Sequence, residues 1–348
     1  MACQKTSIYN TFCLMLHPPV TIPIALVHGM VSGVQRLGLP VDPFLVDAGI
    51  APELLDEANA RVTADQYVAL FALLIERLDD DCIGLLARPF KRGSFAMMGR
   101  AGVSAPTLAV AIRRIAHTFR LLQDEIVLES LRDGALAGVS LRFIDPASAK
   151  PMFLHELLLR GVWRLLAWLV GGQLPAARFH FAFERPPHAE SYAKVFPAPP
   201  HFGMPQTTLW FDAARLADPV RRDEAALRAF MAVSLSQIIV PRRDDGITAR
   251  VRSHLQQTQP AWPDLVATAS ALHVSTSTMQ RHLAGEGTSF QALKDELRRD
   301  LAIARLNTST VALASLADEL GFANSAAFQR AFKCWTGSAP GAYRRGGV

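Results

Sequence analysis

The chain has 348 residues, half of them hydrophobic and 19% charged, which is enough apolar material for two packed domains and excludes global disorder. Its cysteines, Cys3, Cys13, Cys82 and Cys334, lack metal-ligand spacing, so no zinc site is expected, and their scarcity fits a reducing cytoplasm. The net charge of +5 gathers at the end, where residues 241–348 hold 13 Lys and Arg against 9 Asp and Glu, while residues 1–240 hold 23 against 22.

No apolar run reaches the ~20 residues that span a bilayer. Lys5 and the apolar Phe12–Leu16 have the outline of a signal peptide. His17, Pro18 and Pro19 interrupt it and no small-residue cleavage site follows cleanly, so residues 1–21 read as a disordered tail or a misassigned start. Residues 22–38 have helical spacing, with Ile24, Val27, Val31, Val34 and Leu37 on one stripe, and Pro40 ends the run. Short helices are expected over 43–48 and 52–57. Thr63 is an N-cap for a helix over 64–78, with Gln66 three residues on completing a capping box. A further amphipathic helix covers 108–122.

Then the period changes. Residues 126–131 and 135–143 alternate as strands joined at Asp133-Gly134, a hairpin signal. Residues 152–169 read as a long helix stopped by Gly171-Gly172, residues 177–183 and 207–211 as strands, and residues 221–240 as a helix. Residues 22–240 therefore form an α+β domain with a small, mainly antiparallel sheet. The polar run 241–246 is the linker, and residues 247–348 are helical throughout.

Within that last region, residues 264–283 pair two short helices across a turn at Val274-Ser275. Ala269 is the small residue at their crossing, and Met279 and Leu283 are the buried side of the second helix. Its open face shows Ser277, Thr278, Gln280 and Arg281. Glutamine and arginine are the side chains that reach adenine and guanine edges bidentately in the major groove. The pattern recurs over 315–335: a first helix ending at Leu320, a turn at Gly321-Phe322, then a helix capped by Asn324 or Ser325. Phe322, Phe328, Phe332 and Trp335 are assigned to its core, with Ser325, Ala326, Gln329, Arg330 and Lys333 outward. Between the units a long helix over 290–306 carries Leu293, Leu297, Leu301 and Leu306 on one side, a rod able to hold two recognition helices ~34 Å apart, one turn of DNA.

These residues carry a resemblance. The run Ser275-x-x-x-Met279-Gln280-Arg281-x-Leu283, then Glu286-Gly287-Thr288-Ser289-Phe290, is similar to the AraC/XylS DNA-binding domain. So is Leu320-Gly321-Phe322-x-x-Ser325-x-x-Phe328-x-Arg330-Ala331-Phe332-Lys333-x-Trp335-x-Gly337-x-x-Pro340-x-x-Tyr343-Arg344. His273 departs from it, standing where the family's first turn often has glycine. Residues 22–240 resemble more loosely the arabinose-binding-like sensor domain of the ornithine-utilisation and virulence-regulator subgroup. The supporting residues are Gly49-Ile50, Ser104-Ala105-Pro106-Thr107-Leu108, Phe119-x-Leu121-Leu122 and Phe202-Gly203-x-Pro205 with Leu209-x-Phe211.

The resemblance implies a cytoplasmic, homodimeric, effector-responsive activator that binds double-stranded DNA and contacts RNA polymerase, with no cofactor, metal or membrane partner. It also implies base reading by Ser277, Gln280 and Arg281, with Ser325, Ala326, Gln329 and Arg330 in the matching places of the second unit. The effector is not identified; His117, Arg120, His155 and Arg160, on helices beside the sheet, are the polar candidates. Two other readings stay open: a ligand-independent architectural DNA-binding protein, and an enzyme fused to a DNA-binding tail. The chain has no GxSxG, HExxH, GxGxxG or P-loop motif to favour the latter.

Overall fold

The computed structural model describes residues 20–145, 151–187, 189, 192–239 and 246–344. In chain order the elements are β1 (Thr21–Pro23), α1 (Ile24–Arg36), α2 (Asp42–Asp47), β2 (Arg61–Thr63), α3 (Ala64–Leu78), α4 (Ser94–Val103) and α5 (Leu108–Leu122). β3 (Ile126–Asp133), β4 (Leu136–Phe143), α6 (Met152–Leu169), β5 (Ala176–His180), α7 (Tyr192–Val195), β6 (Pro200–His201), β7 (Thr207–Asp212) and α8 (Glu224–Ile239) follow. The remainder is helical: α9 (Ile247–Gln257), α10 (Leu265–Ala271), α11 (Thr276–Gly285), α12 (Phe290–Thr308), α13 (Leu313–Glu319) and α14 (Ser325–Thr336). Contacts divide the described residues into two units, one drawn from 25–48 and 68–239, the other from 20–24, 49–67 and 246–344. The expected tail lies outside the described residues up to position 19, as does the expected linker apart from Gly246.

The first unit is built on a five-stranded sheet in the order β3-β4-β7-β5-β6, antiparallel except between β5 and β6. The α+β expectation holds. Asp133 pairs with Leu136, so Gly134 and Ala135 are the two loop residues of the hairpin, and Gly134 supplies the positive φ of +57°. Side chains alternate across the pleat. Phe179, Leu209 and Phe211 point to the side covered by α6, whose residues are buried on nearly every face, as expected for a core helix. α5 is amphipathic and packs Leu108, Ala111, Ile112, Ile115 and Phe119 inward behind a Thr107 cap.

α4 is an addition to the expected elements. Its Gly99 and Gly102 disfavour a helix intrinsically. A Cβ at Gly102 would stand 2.8 Å from Leu169 Cδ1 and one at Gly99 2.7 Å from Leu227 Cδ1, so the glycines let those leucine side chains lie directly on the helix, and an added Cβ would make them shift.

The second unit is not continuous in the chain. β1 pairs antiparallel with β2, and this correction shortens the helix expected over 22–38, which begins at Ile24. A two-stranded ribbon alone is marginal. This one lies against α12 and the 3-10 turn Pro340–Tyr343: Thr21 Oγ1 donates to Asp300 Oδ1 at 2.5 Å, and the Arg61 N–H donates to the Tyr343 hydroxyl at 3.1 Å. Gln66 Nε2 donates to Asn307 Oδ1 at 3.2 Å, while the Gln66 N–H donates to Thr63 Oγ1 and the Thr63 N–H to Gln66 Oε1, the expected capping box. Residues 52–56 form a 3-10 turn rather than an α-helix. Around α12 the helices α9 to α14 make an all-α assembly.

Candidate DNA-reading surface

The first helix-turn-helix unit is α10 and α11. Asp264 caps α10 by accepting the Ala267 N–H at 2.8 Å, and Ser275 caps α11 by accepting the Thr278 N–H at 3.1 Å. Between them His273 takes a φ of +56°, the left-handed region that a glycine would enter at no cost. Thr268, Ala269, Met279 and Leu283 are buried at the crossing. On the outer face Ser277, Gln280 and Arg281 are exposed, with His282 beside them. Thr278 is half-buried, and its hydroxyl accepts from Ser275 Oγ at 2.8 Å, while Ser277 Oγ lies 3.1 Å from that Ser275 oxygen.

The second unit is α13 and α14. Gly321 supplies the turn with a φ of +71°, and Asn324, rather than Ser325, caps α14 by accepting the Ala327 N–H at 2.8 Å. Phe328 and Phe332 are fully buried, their rings 5.7 Å apart, while Phe322 and Trp335 are half-buried beside them. Ala326, Gln329, Arg330 and Lys333 are exposed, and Ser325 is half-buried with its Oγ accepting from Gln329 Nε2 at 3.1 Å. Among the described residues Arg281, Arg330 and Lys333 have no acidic partner. Open cations next to exposed amides suit phosphate and base edges together.

Glu286 has a role that no periodicity in the sequence announces. Its carboxylate accepts the N–H groups of Ile247 and Thr248 at 3.0 and 2.9 Å, so it caps α9 from the far side of the first unit. Partial burial opposes its ionisation, but the hydrogen bonds from Thr248 and Ile247 outweigh this and hold its pKa below the ordinary glutamate value. Only its place in the run Glu286–Phe290 marked it in the sequence.

The polar candidates of the first unit separate into two places. His117 and Arg120 are exposed on α5. His117 lines an open groove of about 560 Å³ with Ser104, Arg113, Arg114 and Thr118. His155 and Arg160 are buried on α6. His155 Nδ1 is 2.8 Å from Thr207 Oγ1 with its ring against Phe143 and Phe183, and burial lowers its pKa to about 4, so the imidazole is neutral. Glu156 is buried next to it and bonded by the Tyr192 hydroxyl; burial raises its pKa to about 7, opposed by Tyr192 and by Arg160. Among the described residues no helix is long and apolar enough to cross a membrane, and no cluster of His, Cys, Asp and Glu could hold a metal.

Comparison with known proteins agrees with this architecture. Residues 38–220 match the family described as the arabinose-binding domain of AraC transcription regulator, N-terminal, and residues 268–346 match a helix-turn-helix domain. The chain is 29% identical to the ornithine utilization regulator of Pseudomonas aeruginosa, covering 93% of this chain and 96% of that protein. It is 23% identical to the transcriptional regulator VirS of Mycobacterium tuberculosis, covering 92% and 95%. Among solved structures, the transcriptional regulator CdpR from Pseudomonas aeruginosa is 22% identical over 74% of this chain and 84% of that one, with a TM-score of 0.31. With a family match over more than half its length and a helix-turn-helix match behind it, the chain belongs to the AraC family of DNA-binding transcription regulators, not to an enzyme family.

Proposed function

We propose that the protein works as an effector-responsive homodimer, its region 22–240 sensing a small molecule and its region 247–348 reading two successive major-groove segments. Ser277, Gln280 and Arg281 read the first segment. Ser325, Ala326, Gln329, Arg330 and Lys333 meet the second, where Ala326 offers only a methyl group and Gln329 is bonded to Ser325, so that Arg330 and Lys333 hold the helix there largely through phosphate. Bound DNA and effector favour recruitment of RNA polymerase, hence activation. The observation that carries this is the pair of capped helices α11 and α14, each with an exposed polar and cationic face and an apolar opposite face.

Thermal shift of the full-length protein against a metabolite panel tests the sensing step, with ornithine included because a relative bears that name. A specific ligand raises the melting temperature by mass action. A response to operator DNA alone, with none to any metabolite, returns the reading to a ligand-independent architectural protein. Sedimentation in the same buffer tests the homodimer, and a monomer on two-site DNA contradicts it.

A further inference from the structure

α12 is not the only connection between the two helix-turn-helix units. Trp262 stands just before α10, and its indole is 5% exposed. The indole N–H donates to the carbonyl of Glu319, the last residue of α13, at 2.9 Å. A Cβ on Gly321 would lie 3.0 Å from Trp262 Cδ1, so the ring rests directly on the turn of the second unit. Arg298 of α12 closes the arrangement: its guanidinium lies 5.1 Å from the centre of the Trp262 ring and 5.0 Å from that of Phe322, and donates to the Gly321 carbonyl at 3.4 Å. One turn earlier Lys294 donates to the carbonyls of Trp262 and Pro263 at 2.8 and 3.0 Å.

The backbone of Trp262 has a φ of +46°, a region bulky residues rarely enter. Such a conformation persists only where its surroundings hold it. Here a buried ring, an indole hydrogen bond, a stacked guanidinium and a lysine on its carbonyl all do so.

We propose that Trp262 is the positioning residue for two-groove reading: it seats the lead-in of the first unit on the turn of the second and so sets the angle between α11 and α14. This rests on the reading of those two helices as the DNA-reading elements. Trp262 touches no base. It acts by making the second contact intramolecular at a fixed geometry, which keeps the effective concentration of the second helix at its groove high. One base pair of DNA turns the groove by roughly 35°, so a rigid pair of helices tolerates one spacing and a loosened pair tolerates several.

The test is selection from a random duplex library by the full-length protein and by W262A. Wild type is expected to enrich two boxes at a single spacing. W262A is expected to enrich the same first box with the second box displaced by a base pair or more, or lost. Its affinity for the wild-type duplex should fall about tenfold, with affinity for a duplex holding only the first box unchanged. A merely structural role lowers binding to both duplexes and leaves the spacing alone. If W262A does not melt cooperatively, W262F decides, because it keeps a ring but loses the bond to Glu319: a widened spacing supports the proposal. Wild-type spacing in whichever variant folds overturns the positioning role and leaves the DNA reading standing. No enrichment by the wild type overturns both.

Discussion

Arg281 and His273 sit a few residues apart and owe their places to different physics. Arg281 is exposed on the face of α11 opposite Met279 and Leu283, with no acidic partner among the described residues. As a base-reading arginine, Arg281→Ala costs about 1–3 kcal/mol at the operator and relaxes preference at one base pair. Titration against single-base variants checks this; an equal loss on every sequence makes Arg281 a phosphate contact instead. His273 is held in the left-handed region at φ +56°. A non-glycine residue there costs about 1–2 kcal/mol, offset in part by the greater unfolded-chain entropy of glycine. His273→Gly therefore stabilises the C-terminal unit by up to about 1 kcal/mol, read by denaturant melting, with DNA affinity unchanged. A lower midpoint for the glycine variant contradicts the strain. The outward residues of both helices were legible in the sequence because helical period alone assigns them. The bond from the Ser275 hydroxyl to that of Thr278 was not, because it depends on local hydrogen-bond choice.

At the scale of elements, two buried or capping carboxylates give opposite pH dependence. Glu286 caps α9, and its pKa in the folded protein lies below its ordinary value. That stabilisation is present above the ordinary glutamate pKa and is lost as pH falls through the folded value. Glu286→Gln should thus lower stability at neutral pH, by about 1 kcal/mol as for other helix caps, and the difference should close in acid. Melting curves from neutral to acid pH check it; a gap that persists in acid contradicts the carboxylate cap.

Glu156 is the reverse case, raised by burial to about 7 despite Tyr192 and Arg160. The folded state keeps its proton longer than the unfolded chain, so wild type loses stability as pH rises from the ordinary carboxylate range to about 7. Glu156→Gln, which can still accept from Tyr192, should flatten that decline, and parallel pH profiles for the two proteins contradict it. α5 was legible because one of its faces is apolar, the β3–β4 hairpin because Asp133-Gly134 marks its turn, and α6 because a long, largely apolar run ends at Gly171-Gly172. α4 was not, since Gly99 and Gly102 weaken its helical signal and only their contacts with Leu227 and Leu169 explain them. β1 and β2 were not, being three residues each and formed by pairing across 40 positions.

At the scale of the molecule, the division by contacts departs from the division along the chain. Residues 49–67 lie within the reach of the sensor match at 38–220 yet pack in the unit that holds α12. The links are polar and buried: Asp300, 3% exposed, accepts from Thr21, whose hydroxyl in turn accepts from Arg61 Nε at 2.7 Å. No periodicity could announce a strand pair of the N-terminal region on a C-terminal helix, whereas the paired helix-turn-helix units were evident from repeated turn, cap and apolar spacing.

One chain is proposed to read two successive major-groove segments. Footprinting of the purified full-length protein on its best selected genomic fragment, at defined salt, tests it most directly. Two protected major-groove segments about one helical turn, ~34 Å, apart are predicted, repeated where a dimer binds. A single protected segment, or no fragment enriched over non-specific DNA, contradicts it.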